Sequence, residues 1–588
     1  MAVRREAWPL HLRLTAGRPS WAGVARIGRR VTAEDHESAT LFGLALVGYL
    51  VLALLLVYVS QAIVGDAWSR VGNAYYMLFS RDPHLAAIGF VWNPLPSLAV
   101  LPLLPFSLIW PDLVGAGLAG NIVSALFMAA ATVEVAGTLR DFGVRRLVRL
   151  ILVGAFALHP LVVYYGANGM SEAPFLFFLV LIVRYLARWL EHRATRSLVI
   201  AALGLAGAYL TRYEAAAAAA GAIAIVAAAS AMAAPAGQRR ISSLAEAVVF
   251  GLPFAAAFGL WSLASWIIVG SPFETFTSIY GNSSQVSLST QQIQSSTGRG
   301  VVEASEYAIA QIQGLEPLLL LVIAAVVVIA AVRRDPRFVP IVVVLGSVAA
   351  FSLAAFATGR SFGWLRFYIV VIPMCVLAAG YVAARWNEPS DGRARGPAPV
   401  RAAARIPPRL LRPIAALAAI AAVSATVLAL PTGWTTIRDD RLAREEAHQL
   451  RGLIQDSRYP GTAPPERAQY LVGGQVATYL DGLDLPDGSV VVDVAIGFPI
   501  VLQSRDPHQF VITTDRDFKA VVQDPVVYKA EYLLVAPPSG LGSLDAINRQ
   551  YPSLYVTGVG LPVTLDREFD APGFDGIRWR LYRLTPPS

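Results

Sequence analysis

Residues 41–70 read LFGLALVGYLVLALLLVYVSQAIVGDAWSR, and the first 23 of them, through Ile63, carry no charged side chain. A helix rises about 1.5 Å per residue, so such a run covers the roughly 30 Å of a bilayer's hydrocarbon. It ends at Gly65-Asp66-Ala67-Trp68-Ser69-Arg70, where an acid and a base stand four positions apart. Stretches of the same kind fall near 114–138, 147–165, 173–190, 197–211, 214–234, 246–269, 315–332, 338–357, 367–384 and 413–431. The chain of 588 residues is 55% hydrophobic and 15% charged, with mean hydropathy +0.54, too apolar for a soluble globular protein. The expected fold class is a polytopic α-helical membrane protein of about 11 transmembrane helices.

The segment 84–111 decides the topology. Asn93-Pro94-Leu95-Pro96-Ser97 leads into an apolar run broken by Pro102 and Pro105, and a twelfth span here would invert every later loop. Cytoplasmic loops are enriched in arginine. Eleven spans with a cytoplasmic N-terminus place 27 arginines inside and six outside: Arg70, Arg81, Arg212, Arg299, Arg360 and Arg366. Segment 84–111 is therefore expected to be interfacial or re-entrant. No cleavable signal peptide is expected, because the first apolar run follows a long arginine-rich arm, residues 1–40. Residues 385–412 read as a cytoplasmic linker.

The single cysteine, Cys375, leaves no disulfide framework or thiolate cluster. Only Lys519 and Lys529 are lysine, so arginine carries the topological signal, and no nucleic-acid partner is implied. Residues 1–431 hold 33 basic and 20 acidic side chains (+13), and residues 432–588 hold 15 and 20 (−5). Membrane region 41–431 is thus followed by a mildly acidic extracytoplasmic α/β domain, 432–588. Its expected strands are Val490–Val494, Phe510–Thr513, Tyr532–Val535 and Trp579–Leu584. Its acids, such as Asp493, Asp515 and Asp517, lack metal-ligand spacing and read as solvated surface.

Polar residues concentrate on the extracytoplasmic side, where ionisable groups at span ends are costly unless paired or functional. The first loop, 64–113, holds Asp66, Asp82, His84 and Asn93. Asn168-Gly169-Met170-Ser171-Glu172 and Thr211-Arg212-Tyr213-Glu214 fall between later spans, and Arg360 and Arg366 between two more. Acids and arginines drawn onto one face suit an anionic substrate, since guanidinium forks match phosphate oxygens and a carboxylate can act as base. The polar loop 271–314, with Glu303 and Glu306 at its end, reads as a lid over the site.

The order of these features resembles the GT-C superfamily of membrane glycosyltransferases, near the protein mannosyltransferases and lipid A aminoarabinose transferases. Asp66 matches the acid of the first loop and Asn93-Pro94-Leu95-Pro96 a proline segment, while 168–172 and 211–214 resemble core patches. Asp66 is followed by Ala67 rather than a second acid, and Leu95 splits the proline pair. The resemblance covers about residues 41–384. It implies a GT-C-like core in a bacterial plasma membrane and inverting transfer of a sugar, mannose favoured, from a polyprenyl-phosphate donor to a glycan, lipid or protein acceptor. Asp66 would be the catalytic base, Arg212, Arg366 and Arg360 would hold the donor phosphate, and Glu172, Glu214, Tyr213, Asn93, Asp82 and His84 would line the substrate. No cofactor is required by this reading; a divalent cation on Asp66, Asp82 and Glu172 is compatible with it.

Other uses compete. Asp66 suits an N-cap of a helix starting at Ala67. Arg212 and Glu214 suit a structural pair, and Arg360 and Arg366 suit anchors to lipid phosphates. A flippase for polyprenyl-linked glycans would need polar groups through the bilayer, where Glu134 is the main candidate. A non-enzymatic envelope assembly protein would depend on its C-terminal domain and not on Asp66.

Overall fold

The computed structural model describes residues 33–288, 300–387, 408–454, 465–569 and 578–585. The first apolar run forms α1 (Ala33–Leu55) and widens into a π-helical turn at Leu56–Ser60. α2 (Gly65–Phe79) follows, and then the proline-broken segment, as 3-10 turn Leu85–Ile88, α3 (Leu95–Val100) and 3-10 stretch Leu101–Leu108. Pro102 and Pro105 cannot donate to a continuous α-helical ladder, so the segment stays short and tight. Its tip, Leu108 and Ile109, is exposed apolar surface. α4 (Asp112–Gly115) returns the chain to α5 (Leu118–Asp141).

The bundle continues with α6 (Arg146–Ala157), α7 (Pro160–Tyr165), α8 (Glu172–His192), α9 (Thr195–Thr211), α10 (Ala215–Ala233) and α11 (Arg239–Val269). After the short α12 (Glu274–Thr277) and α13 (282–288) come α14 (Val301–Leu315), α15 (Leu319–Arg333), α16 (Gly346–Ala357), α17 (Val371–Asn387) and α18 (Pro408–Ile437). Among the described residues eight helices are long and apolar enough to cross a membrane, and α14 with α15, bent by 77°, make a ninth if taken as one span. Three of the eleven expected spans therefore differ. The 147–165 rod breaks before Pro160, whose missing amide hydrogen suits a helix start. α9 has only 17 residues, and 315–332 is one arm of the bent pair. The expected lid is also shorter than 271–314, because Val301 onward is helix and carries Glu303 and Glu306; residues 289–299 lie outside the described residues, as does most of the 385–412 linker.

α18 runs through Pro431 to Ile437, six residues past the expected end of the last span. Beyond it lie α19 (Arg444–Ile454) and α20 (Pro465–Asp481). The sheet holds β1 (Val490–Val492), β2 (Phe510–Ile512), β3 (Tyr532–Val535), β4 (Val563–Glu568) and β5 (Arg580–Leu584) in the order β2-β1-β3-β5-β4. β2, β1 and β3 run parallel; β5 and β4 are antiparallel additions. Strand side chains alternate between faces. Val490, Val492, Phe510, Ile512 and Leu534 share a core with Trp68, Val71, Leu104 and Leu113 of the membrane region. Val491, Val511, Leu533 and Val535 face the other way, against Phe518, Ile547 and Leu554. One face of the sheet thus helps seat the domain on the first loop.

Two of the acids read as solvated surface, Asp493 and Asp515, are buried, while Asp517 is part-exposed. Asp493 is fully buried and accepts from Ala495 N (2.8 Å), Thr513 Oγ1 (2.8 Å), Ala546 N (2.7 Å) and the Tyr280 hydroxyl (2.8 Å). Asp515 is buried and takes Arg81 Nη2 at 3.0 Å, and Asp517 pairs with the same arginine.

Candidate functional site

Four acids at one end of the bundle stand at helix starts: Asp66 in the first turn of α2, Glu172 in that of α8, Glu214 before α10, and Glu445 in that of α19. Free amide groups and the helix dipole favour negative charge at these positions. Converging helix starts also make the surroundings receptive to an anionic ligand.

Two arginines tie the acids together. Arg366 Nη2 donates to Asp66 Oδ2 (3.2 Å) and Nη1 to Glu445 Oε1 (3.0 Å), and its Nε lies 3.7 Å from Glu172 Oε1. Arg212 donates to Glu172 Oε1 (2.5 Å), to Ser171 Oγ (3.3 Å) and, through its fork, to both oxygens of Glu214 (2.6 and 3.3 Å). Arg366 also stacks on Trp364, 3.9 Å from the ring centre, and Arg212 lies 5.4 Å over Phe367. Flat guanidinium groups on aromatic faces stay in place without losing their in-plane donors. Arg70, buried, lies 5.1 Å over Trp92 and reaches the Asp66 carbonyl at 3.3 Å.

Asp66 does not cap its helix. α2 begins one residue earlier, at Gly65, and the side-chain partner given to Asp66 by the fold is Arg366. Gly169 makes room for this arrangement: at φ +80°, a Cβ on it would stand 2.8 Å from Asn121 Oδ1 and 3.1 Å from Ala67 Cβ. Only glycine lets the 168–172 turn lie against the first turn of α2.

The structure thus brings together Asp66, Glu172, Glu214, Arg212 and Arg366. It separates the others. Asp82 accepts from Arg516 Nε (2.9 Å) and Arg516 N (3.0 Å), which hold its carboxyl well below the usual range. His84 turns its Nδ1 to the Asp82 carbonyl at 2.6 Å. Asp82 serves the seam with the C-terminal domain, His84 lies beside it, and neither lines the arginine cluster. Asn93 is buried, donating to the Tyr209 carbonyl, so it fastens the first loop to α9. Tyr213 packs its ring on Phe276 (5.6 Å) and Phe351 (6.4 Å). Arg360 is exposed beyond the end of α16, outside the cluster; its carbonyl accepts from Asn282. The cation set of Asp66, Asp82 and Glu172 does not assemble, because Arg516 draws Asp82 away, and among the described residues no three His, Cys, Asp or Glu side chains converge as metal ligands.

No family model and no curated protein matches the chain. Among solved structures, the archaeal oligosaccharyltransferase AglB from Archaeoglobus fulgidus, in complex with an inhibitory peptide and a dolichol-phosphate, aligns over 86% of this chain and 70% of its own, at 12% identity and TM-score 0.36. At that level of likeness the functional reading rests on the site's own residues.

Sequence reasoning reads a charged helical stretch near 437–455, and α19 lies within it, but it does not bring the acids of that helix to the site. Glu445, its side chain 22% exposed, lies at Arg366, and the buried Glu446 accepts from the Tyr165 hydroxyl at 2.7 Å. Burial pushes the Glu445 carboxyl up to about 8 against the pull of Arg366, and burial likewise raises Glu446. A signal was present: Ala443, Glu446, Ala447 and Leu450 share one helix face at the spacing of a buried stripe.

Proposed function

We propose that the chain is an inverting membrane glycosyltransferase that moves a sugar, mannose favoured, from a polyprenyl-phosphate carrier to an acceptor hydroxyl on the extracytoplasmic side. The observation that carries this reading is the Asp66–Arg366 contact of 3.2 Å, in which a one-third exposed carboxylate meets a guanidinium that is 3% exposed. The side assignment is supported by the arginine count in the loops.

A hydroxyl is a weak nucleophile at neutral pH, so a carboxylate in hydrogen-bond reach takes its proton as the bond to the anomeric carbon forms. Asp66, the more accessible partner, has that role. The departing lipid phosphate gains charge, and Arg366 and Arg212 stabilise it where they stand, needing little reorganisation. A donor phosphate competes with the Asp66 carboxylate for Arg366, so donor binding itself frees the base. Direct displacement inverts the anomeric centre.

The test uses the full-length protein in lipid nanodiscs with synthetic polyprenyl-phosphate mannose and related donors, and mass spectrometry of envelope glycans from cells lacking the protein. Loss of one sugar, restored by wild type and not by Asp66→Asn at equal membrane level, supports the proposal. Full restoration by Asp66→Asn rejects it and moves the flippase and assembly readings ahead.

A further inference from the structure

Glu445 stands differently from the other acids around Arg366. Its Oε1 accepts from Arg366 Nη1 at 3.0 Å, while Oε2 is buried with no hydrogen-bond partner among the described residues. Arg366 already takes Asp66 at 3.2 Å and has Glu172 within 3.7 Å, so three carboxyl groups surround one guanidinium. Other groups bearing on Glu445 are Glu446 on its own helix, Glu466 on α20, and Tyr164 and Tyr165 on α7. Arg212 takes Glu172 and Glu214, and Arg70 lies by Asp66, so three guanidinium groups meet five carboxyls, Asp66, Glu172, Glu214, Glu445 and Glu446, and like charges at close range favour one of them protonated. The bare Oε2 is the natural seat of that proton. A buried hydroxyl without an acceptor is unfavourable, and an oxygen-rich group arriving at Arg366 would accept from it.

We propose that Glu445 is the general acid of the transfer, delivering a proton to the departing phosphate while Asp66 takes one from the acceptor. This rests on the transferase reading, since without a phosphate leaving group there is nothing to protonate. The acceptor oxygen bonds to the anomeric carbon; the bond from that carbon to the phosphate oxygen breaks, and its electron pair leaves with the oxygen. That oxygen receives the Glu445 proton, and Asp66 holds the acceptor's proton. The protein ends with Asp66 protonated and Glu445 ionised, its proton count unchanged, and exchange with water returns both to the starting state. The upward shift of Glu445, caused first by burial and increased by Glu446 and Asp66, keeps the proton in place at neutral pH.

The experiment is the pH dependence of turnover by the full-length protein in nanodiscs with polyprenyl-phosphate mannose. Wild type is expected to lose turnover as pH rises through about 8. Glu445→Gln keeps an acceptor oxygen for Arg366 but has no proton to give. It is expected to lower kcat about 10²–10⁴-fold with little change in donor KM, and to abolish the alkaline limb. Glu445→Asp should keep the limb, a readout that a merely structural role would not move. A wild-type profile with no alkaline limb overturns the proposal without need of any variant, as does Glu445→Gln within about threefold of wild-type turnover with its limb intact. If wild type transfers no sugar from any polyprenyl-phosphate donor, the transferase reading itself falls; transfer that is indifferent to Glu445 sinks this inference alone.

Discussion

Two arginines at opposite ends of the bundle show what separates a structural ion cluster from a candidate site. Arg184 donates to Asp141 at 2.8 Å and Glu134 at 3.0 Å. All three side chains belong to the neighbouring helices α5 and α8, and none of them leaves a buried polar atom without a partner. Arg366 draws its acids from α2, α8 and α19, and the cluster retains three buried unpartnered atoms: Arg366 Nε, Glu172 Oε2 and Glu445 Oε2. A closed triplet on adjacent helices fixes their packing. An open cluster gathered from distant elements holds bonding capacity that a substrate can use. Glu134, which sequence reading singles out as a polar group inside the membrane, belongs to the first kind.

The sharpest break of this comparison is a pair of matched neutralisations. Asp66→Asn should reduce turnover about 10²–10⁴-fold with folded protein retained, whereas Glu134→Gln should leave kcat/KM unchanged. The second variant instead leaves Arg184 short of one partner and should cost about 1–3 kcal/mol of stability, read as an earlier thermal unfolding midpoint. Equal effects of the two on turnover would erase the distinction between the clusters.

Arg366→Lys keeps the charge but loses the fork that reaches Asp66 and Glu445 together, and a fall of about 1–3 kcal/mol in transition-state stabilisation is expected, measured as kcat/KM for the donor. Gly169→Ala is expected to act through position alone. The new methyl must push Asn121 or Ala67 aside, so turnover should fall more than stability, and a structure of the variant should show the first turn of α2 displaced.

The smallest expected effect lies at the seam. Arg516 depresses the Asp82 carboxyl, so the link contributes stability above the ordinary carboxylate value of about 4 and loses it as pH falls through the lower folded value. Protection of the Arg516 amide, which donates to Asp82 at 3.0 Å, relative to its intrinsic exchange rate should be lost only in that acid range. Asp82→Asn should remove this acid dependence while sparing turnover.

Much of the framework was legible because it follows from periodicity and solvent preference. Uncharged runs such as 41–63 have no stable place in water, the closely spaced prolines at 102 and 105 disfavour a continuous helix, and the valine-rich strands at 490 and 510 carry their β tendency locally. β4 was not legible, since it is an exposed edge whose Val563–Glu568 pattern lacks a buried face. Asp66, Glu172, Glu214, Arg212 and Arg366 were legible as polar residues at the ends of apolar runs, where they are expensive unless paired or used.

Their partners were not. Sequence alone determined that this is a chain of apolar helices with acids and arginines gathered at one end and a mixed α/β domain after them. Only the tertiary structure decided that Asp82 closes on Arg516, that Asn93 holds α9, that Arg360 stands apart, and that Glu445 reaches Arg366 from 79 residues away. Local pattern reports how a residue meets its own helix and solvent, while the choice of partner depends on which helix starts the packing places side by side.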